Sequence, residues 1–162
     1  MATVNNNLSE YDINSVPNAS KMAFGIVVSE WNENITKGLL NGAYSTLLKH
    51  GALEDNIIVK FLPGAFELPL GAQTMFEKTN VDAVICLGSV IQGETKHFDF
   101  VCEGAALGIK DVSLKYNKPA IFGILTDNTE QQAIDRSGGK HGNKGDEAAV
   151  TAIKMVDFQK NI

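Results

Sequence analysis

The sequence predicts an α/β domain, a three-layer α/β/α sandwich in which a four-stranded parallel sheet carries helices on both faces. Two patterns predict it. Short apolar runs rich in branched residues alternate with longer stretches whose apolar residues recur at helical spacing. The β-α units repeat without sharing sequence, which excludes a stacked-repeat architecture. Right-handed crossovers then bring the loops that follow the strands to one edge of the sheet, where open α/β folds bind ligands.

Residues 1–20 are polar, rich in Asn and Ser, and aperiodic, so they read as an arm preceding a domain over 21–162. Residues 23–29 (AFGIVVS) form the first strand. Over 33–50, Ile35, Leu39, Ala43 and Leu47 share one helical face, and Gly51 is a suitable terminating glycine. Residues 56–62 (NIIVKFL) form a second strand, stopped by Pro63-Gly64. A helix over 66–79 has Pro69 in its first turn, where proline is tolerated. A third strand spans 81–90, and a third helix spans 99–116, carrying Ala105, Ala106, Ile109, Val112 and Leu114. Pro119 introduces a fourth strand over 120–125. Thr126-Asp127-Asn128 reads as a loop before a helix over 129–137, with Thr129 as its N-cap. The glycine-rich stretch 138–143 breaks the chain, and a last helix covers 146–158.

The 162 residues, 44% hydrophobic and 20% charged, suffice for one domain with its own core. The net charge of −5 and the lack of a basic run disfavour nucleic acid as a partner. Apolar stretches reach only strand length, so no membrane-spanning helix is expected. The N-terminus lacks a basic region followed by an apolar one, so it does not read as a secretory signal. Cys86 and Cys102 have no metal-ligand or redox spacing. They read as buried, reduced thiols, in keeping with the cytoplasm.

The strand-end loops hold the residues with chemical potential. After the third strand comes Gln92-Gly93-Glu94-Thr95-Lys96-His97. Gly93, Glu94 and Thr95 feed a helix N-terminus, which offers backbone donors to an anion, although many strand–helix loops share this look. No GxGxxG or Walker A pattern supports a nucleotide. Histidine is the side-chain type best suited to proton transfer, but capping the helix or facing solvent explains His97 as well. Trp31, the only tryptophan, reads as core or as a flat shelf for a ring, and Phe66 and Phe122 share that ambiguity. Glu67 reads as a partly buried carboxylate, either structural or ligand-binding. Arg136, the only arginine, and Lys144 flank the glycine-rich loop. They are either solvated charges or, for Arg136, a bidentate phosphate ligand.

Taken together, SEWNENIT (29–36), LPGAFELP (62–69), GSVIQGETKHFDFV (88–101), AIFGILT (120–126) and AIDRSGGKHGNKGDEAA (133–149) resemble the 6,7-dimethyl-8-ribityllumazine synthase family in order and spacing. The resemblance covers about residues 22–160. It implies a flavodoxin-like fold and condensation of 5-amino-6-(D-ribitylamino)uracil with 3,4-dihydroxy-2-butanone 4-phosphate, with no metal or organic cofactor. It implies a homopentamer with sites between subunits, and in many members twelve pentamers in an icosahedral shell. The short 138–144 loop is similar to that of shell-forming members. A riboflavin synthase is a further partner the resemblance brings in, and an N-terminal arm would add to a neighbouring subunit.

The resemblance also assigns roles. Trp31 would stack on the pyrimidine beside Asn32, and Ala65, Phe66 and Glu67 would hold the ribityl chain. Ser89, Val90 and Ile91 would meet the pyrimidine's polar edge through backbone groups. Gly93, Glu94 and Thr95, with Glu94 turned outward, would cradle phosphate with Arg136. His97 would move protons. Phe122, Arg136 and Lys144 would come from the adjacent subunit. A lumazine- or flavin-binding carrier on the same scaffold is the alternative, disfavoured by His97 and Arg136 together.

Overall fold

A computed structural model describes residues 7–162. Four strands, β1 (Phe24–Ser29), β2 (Ile57–Leu62), β3 (Ala83–Ile91) and β4 (Ala120–Asp127), form one sheet in the order β2-β1-β3-β4. Every neighbouring pair is parallel. The helices are α1 (Glu33–Lys49), α2 (Leu68–Lys78), α3 (His97–Tyr116), α4 (Glu130–Arg136) and α5 (Lys144–Lys160). This is the expected α/β/α sandwich, and its strand order is of the flavodoxin type.

Side-chain alternation along the strands builds two cores. Phe24, Ile26, Val28, Ile85, Leu87 and Leu125 face Leu39, Ala43 and Leu47 of α1 and Ala149 and Ile153 of α5. Val27, Val84, Cys86 and Ile124 face Leu68, Ala72 and Met75 of α2 and Ala105, Ile109 and Val112 of α3. Each fully buried Leu or Ile contributes about 1.5–3 kcal/mol. β1 and β3 are covered on both faces, hence their nearly unbroken apolar sequences.

Several boundaries differ from the sequence reading. Thr126 and Asp127 are not loop; they extend β4 and pair with Val90 and Ile91. A strand already templated by β3 continues through polar residues as long as its partner does. α3 begins at His97 rather than Asp99, and α5 at Lys144 rather than Asp146, where Asn143 accepts from the Gly145 N–H as N-cap. The glycine-rich break holds two short antiparallel strands, β5 (Ser137–Gly139) and β6 (Gly142–Asn143). The Thr129 cap is as expected, accepting from Gln132 N–H.

The N-terminal stretch was expected to be an arm. Its described part packs on this chain: Val16 and Ala19 are buried, Leu8 N–H donates to His141 carbonyl, and the Tyr11 hydroxyl meets His50 Nε2 at 3.0 Å. Scattered small and branched residues escaped a periodicity test yet filled the end of the core. An arm over residues 1–6 lies outside the described residues. Cys86 is buried, and burial pushes its thiol well above the usual range; Cys102 is only half-buried. No helix among the described residues is long and apolar enough to cross a membrane.

Candidate active site

The chain leaves β1 for the sheet edge at β2, then returns across β1 to place β3 on its other side. The carboxyl ends of β1 and β3 therefore flank the point where the winding reverses, the usual ligand crevice of open sheets. A cavity of about 730 Å³ opens there. Trp31 and Asn32 enter it from the end of β1, Pro63 to Glu67 from the end of β2, and Ser89, Val90 and Ile91 from β3. Gly93, Thr95, His97 and the first turn of α3 complete it.

Local backbone places each part. Asn32 holds a left-handed conformation (φ 59°), which asparagine tolerates better than most residues. Its side-chain amide donates to the Ser89 carbonyl at 3.0 Å, tying the β1 loop to the end of β3. Trp31 is left 72% exposed at the mouth. Ala65–Glu67 form one 3-10 turn between Pro63-Gly64 and α2. Phe66 is 59% exposed but lies directly over Gly104 of α3, where a β-carbon would come within 2.6 Å of its ring. Glycine at 104 thus seats the Phe66 ring on the helix. Exposed aromatic rings at a cavity mouth cost solvation unless something flat covers them.

The 92–97 segment is open on the solvent side. No hydrogen bond among the described residues engages the N–H groups of Gly93, Glu94 or Thr95, and a β-carbon at Gly93 would meet nothing. Thr95 Oγ1 accepts from His97 N–H, and His97 begins the twenty-residue α3. The N-terminal end of that helix faces the loop with its positive dipole end. The arrangement can hold an anion beside an exposed imidazole. Among the lining residues the only ionisable side chains are Glu67 and His97, so the cavity has no permanent cation of its own.

The fold brings most of the residues singled out from sequence to one cavity and leaves four of them outside it. Glu94 is exposed and does not line the cavity. Glu67 is exposed rather than partly buried, because the 3-10 turn carries it outward. Phe122, Arg136 and Lys144 lie elsewhere on the chain. Phe122 packs half-buried against the α2–α3 core. Arg136 donates to the Gln132 carbonyl and approaches Asp127, and Lys144 pairs with Glu147 at 2.7 Å. Sequence reasoning missed Phe98, Phe100 and Val101 as lining residues. For Phe100 and Val101, their position one turn from His97 was the available signal. No group of three or more His, Cys, Asp or Glu among the described residues could hold a metal.

Comparison with known proteins points one way. The family model described as 6,7-dimethyl-8-ribityllumazine synthase matches residues 21–160. A Parabacteroides distasonis protein of that name is 60% identical over 158 residues, which span 98% of this chain and 99% of the relative. One from Phocaeicola vulgatus is 57% identical over 162 residues, spanning 100% and 96%. One from Flavobacterium johnsoniae is 61% identical over 156 residues, spanning 96% and 82%.

Proposed function

This chain belongs to the 6,7-dimethyl-8-ribityllumazine synthase family, and from that premise we propose which residues perform the family's reaction. The enzyme condenses 5-amino-6-(D-ribitylamino)uracil with 3,4-dihydroxy-2-butanone 4-phosphate, forming 6,7-dimethyl-8-ribityllumazine and releasing phosphate and water. The observation that carries the residue assignment is the convergence of three strand-end segments and the α3 N-terminus on one cavity.

In this reading Trp31 stacks on the pyrimidine, with Asn32 fixing the loop. Backbone groups of Ser89, Val90 and Ile91 meet the ring's polar edge. Ala65, Phe66 and Glu67 line the ribityl chain. The amine attacks the butanone carbonyl, and His97 takes a proton from nitrogen and returns one to the departing water. Phosphate then leaves toward the N–H groups of Gly93, Glu94 and Thr95, where fixed donors stabilise the charge that develops. Ring closure is chiefly a matter of alignment, which the shelf and the phosphate cradle supply.

A departing phosphate dianion calls for a cation, and the cavity's own lining has none. Arg136, Lys144 and Phe122 of a neighbouring subunit would complete the pocket. Homopentamer formation is supported by α3, whose Phe100, Leu107 and Leu114 recur every seventh residue and are all exposed. β2 pairs only with β1 among the described residues, leaving an edge for a neighbour's N-terminal arm. The compact β5–β6 turn favours twelve pentamers closing into an icosahedral shell, with a riboflavin synthase as cargo, in the cytoplasm.

The test is product absorbance with both substrates against a protein-free control, run for the wild type, His97→Ala and Arg136→Ala. Both variants should be slower, and Arg136→Ala should chiefly weaken use of the phosphorylated substrate. Equal rates for all three would refute the site assignment.

A further inference from the structure

Among the described residues, three buried side-chain atoms lack a hydrogen-bond partner: Ser29 Oγ, Ser89 Oγ and Asp127 Oδ2. All lie at the carboxyl ends of strands in the main sheet. Two are hydroxyls, whose burial costs far less than that of an ionised carboxylate. Asp127 is a carboxylate only 8% exposed, and its position calls for an explanation.

Asp127 ends β4, and its carbonyl accepts from Gln92 N–H, where the proposed phosphate loop begins. Its Oδ1 lies 3.8 Å from Arg136 Nη1, too far for a hydrogen bond but well within Coulombic reach. The guanidinium is also held by the Gln132 carbonyl at 3.0 Å, and its remaining donors have no hydrogen-bond acceptor among the described residues. Burial pushes the Asp127 carboxyl above its ordinary value, against the opposing pull of Arg136. A carboxylate kept for stability gathers donors around both oxygens. This one has a cation beyond hydrogen-bond distance of Oδ1 and, among the described residues, no donor at its buried Oδ2.

We infer that Asp127 is a positioning residue for the phosphate step: its carboxylate steers Arg136 and offsets part of its charge, so that phosphate is held and then released. The inference rests on the proposal that Arg136 meets the substrate's phosphate. Phosphate is both the leaving group and a product, so an unopposed guanidinium in a dry pocket would stabilise its departure but retain it afterwards. A fixed carboxylate beside the cation weakens that retention without removing the cation.

Inhibition by inorganic phosphate tests this directly on the assembled enzyme, with Asp127→Asn, Asp127→Thr as a second uncharged variant, and Arg136→Ala. Removing the opposing charge should lower the phosphate inhibition constant about tenfold in either Asp127 variant. A merely structural role would weaken binding or leave it unchanged. Arg136→Ala should raise the constant. If it does, and both Asp127 variants bind phosphate no more tightly than wild type, the Asp127 inference alone is overturned. If Arg136→Ala leaves the constant unchanged, the phosphate role of Arg136 fails and the inference falls with it.

Discussion

His97 stands at the first position of α3 on the cavity rim, with its backbone held by Thr95 Oγ1. The proton transfer proposed for it would assist a condensation between reactants that the proposed pocket already aligns. Replacing it with alanine should therefore slow turnover by about 100-fold or less, toward the lower end of acid–base effects, rather than abolish it, as initial rates of product absorbance would record. Trp31 presents an exposed ring, and its loss should raise KM for the pyrimidine about 3- to 10-fold, the usual range for one aromatic stack. His50 belongs to stability instead. Burial first, and then Lys49, lower its pKa below the ordinary histidine value. The unfolded chain thus takes up the proton more readily than the folded one. The contribution of neutral His50 is complete above about pH 6.5 and is lost as pH falls below that toward its folded value. Thermal unfolding between pH 7 and 5 should show a steeper decline for the wild type than for His50→Gln.

The α1–α5 crossing depends on one missing side chain. A β-carbon at Gly145 would come within 2.0 Å of the Leu39 carbonyl oxygen, and a backbone oxygen cannot rotate away. Gly145→Ala should cost about 1–3 kcal/mol by overpacking, read as a lower urea midpoint with little change in slope. The helices themselves were legible, because Ile35, Leu39, Ala43 and Leu47 repeat at helical spacing. The close approach was not, since nothing near Gly145 in sequence names Leu39. α3 carries the opposite lesson. Ala105, Ile109 and Val112 stood in its apolar pattern and are buried, but Leu114 stood there too and is exposed, and Phe100 and Leu107 joined it only once the inner face was known. Leu107→Glu should yield a smaller species by light scattering with the circular dichroism of the folded chain retained.

At the scale of the whole molecule, the cavity on one chain lacks a fixed cation, while the only arginine lies elsewhere on that chain. A shared site makes a distinct prediction. Co-expressing His97→Ala with Arg136→Ala should restore about a quarter of the wild-type sites in randomly mixed cyclic assemblies, because some interfaces receive both intact residues. A rate no higher than the mean of the two variants would place both residues in one subunit's site. The Leu107→Glu species, if monomeric, should be folded and nearly inactive for the same reason.

The sequence by itself determined the order of strands and helices, because apolar period and turn residues are local properties of the chain. The family motifs also named Trp31, Phe66, Ser89 and His97 before any coordinates. Right-handed crossovers predicted that these strand ends meet at one edge; only the tertiary structure decided that Phe98, Phe100 and Val101 of α3 also line the cavity there and that Phe122, Arg136 and Lys144 do not. It also decided that Thr126 and Asp127 belong to β4, since a strand's length is set by its partner β3 rather than by its own polarity. Most plainly, it put the Asp127 carboxylate in the interior beside Arg136. A carboxylate in a polar stretch reads as solvated until the sheet and α4 close around it, because burial is a property of packing and not of the residue.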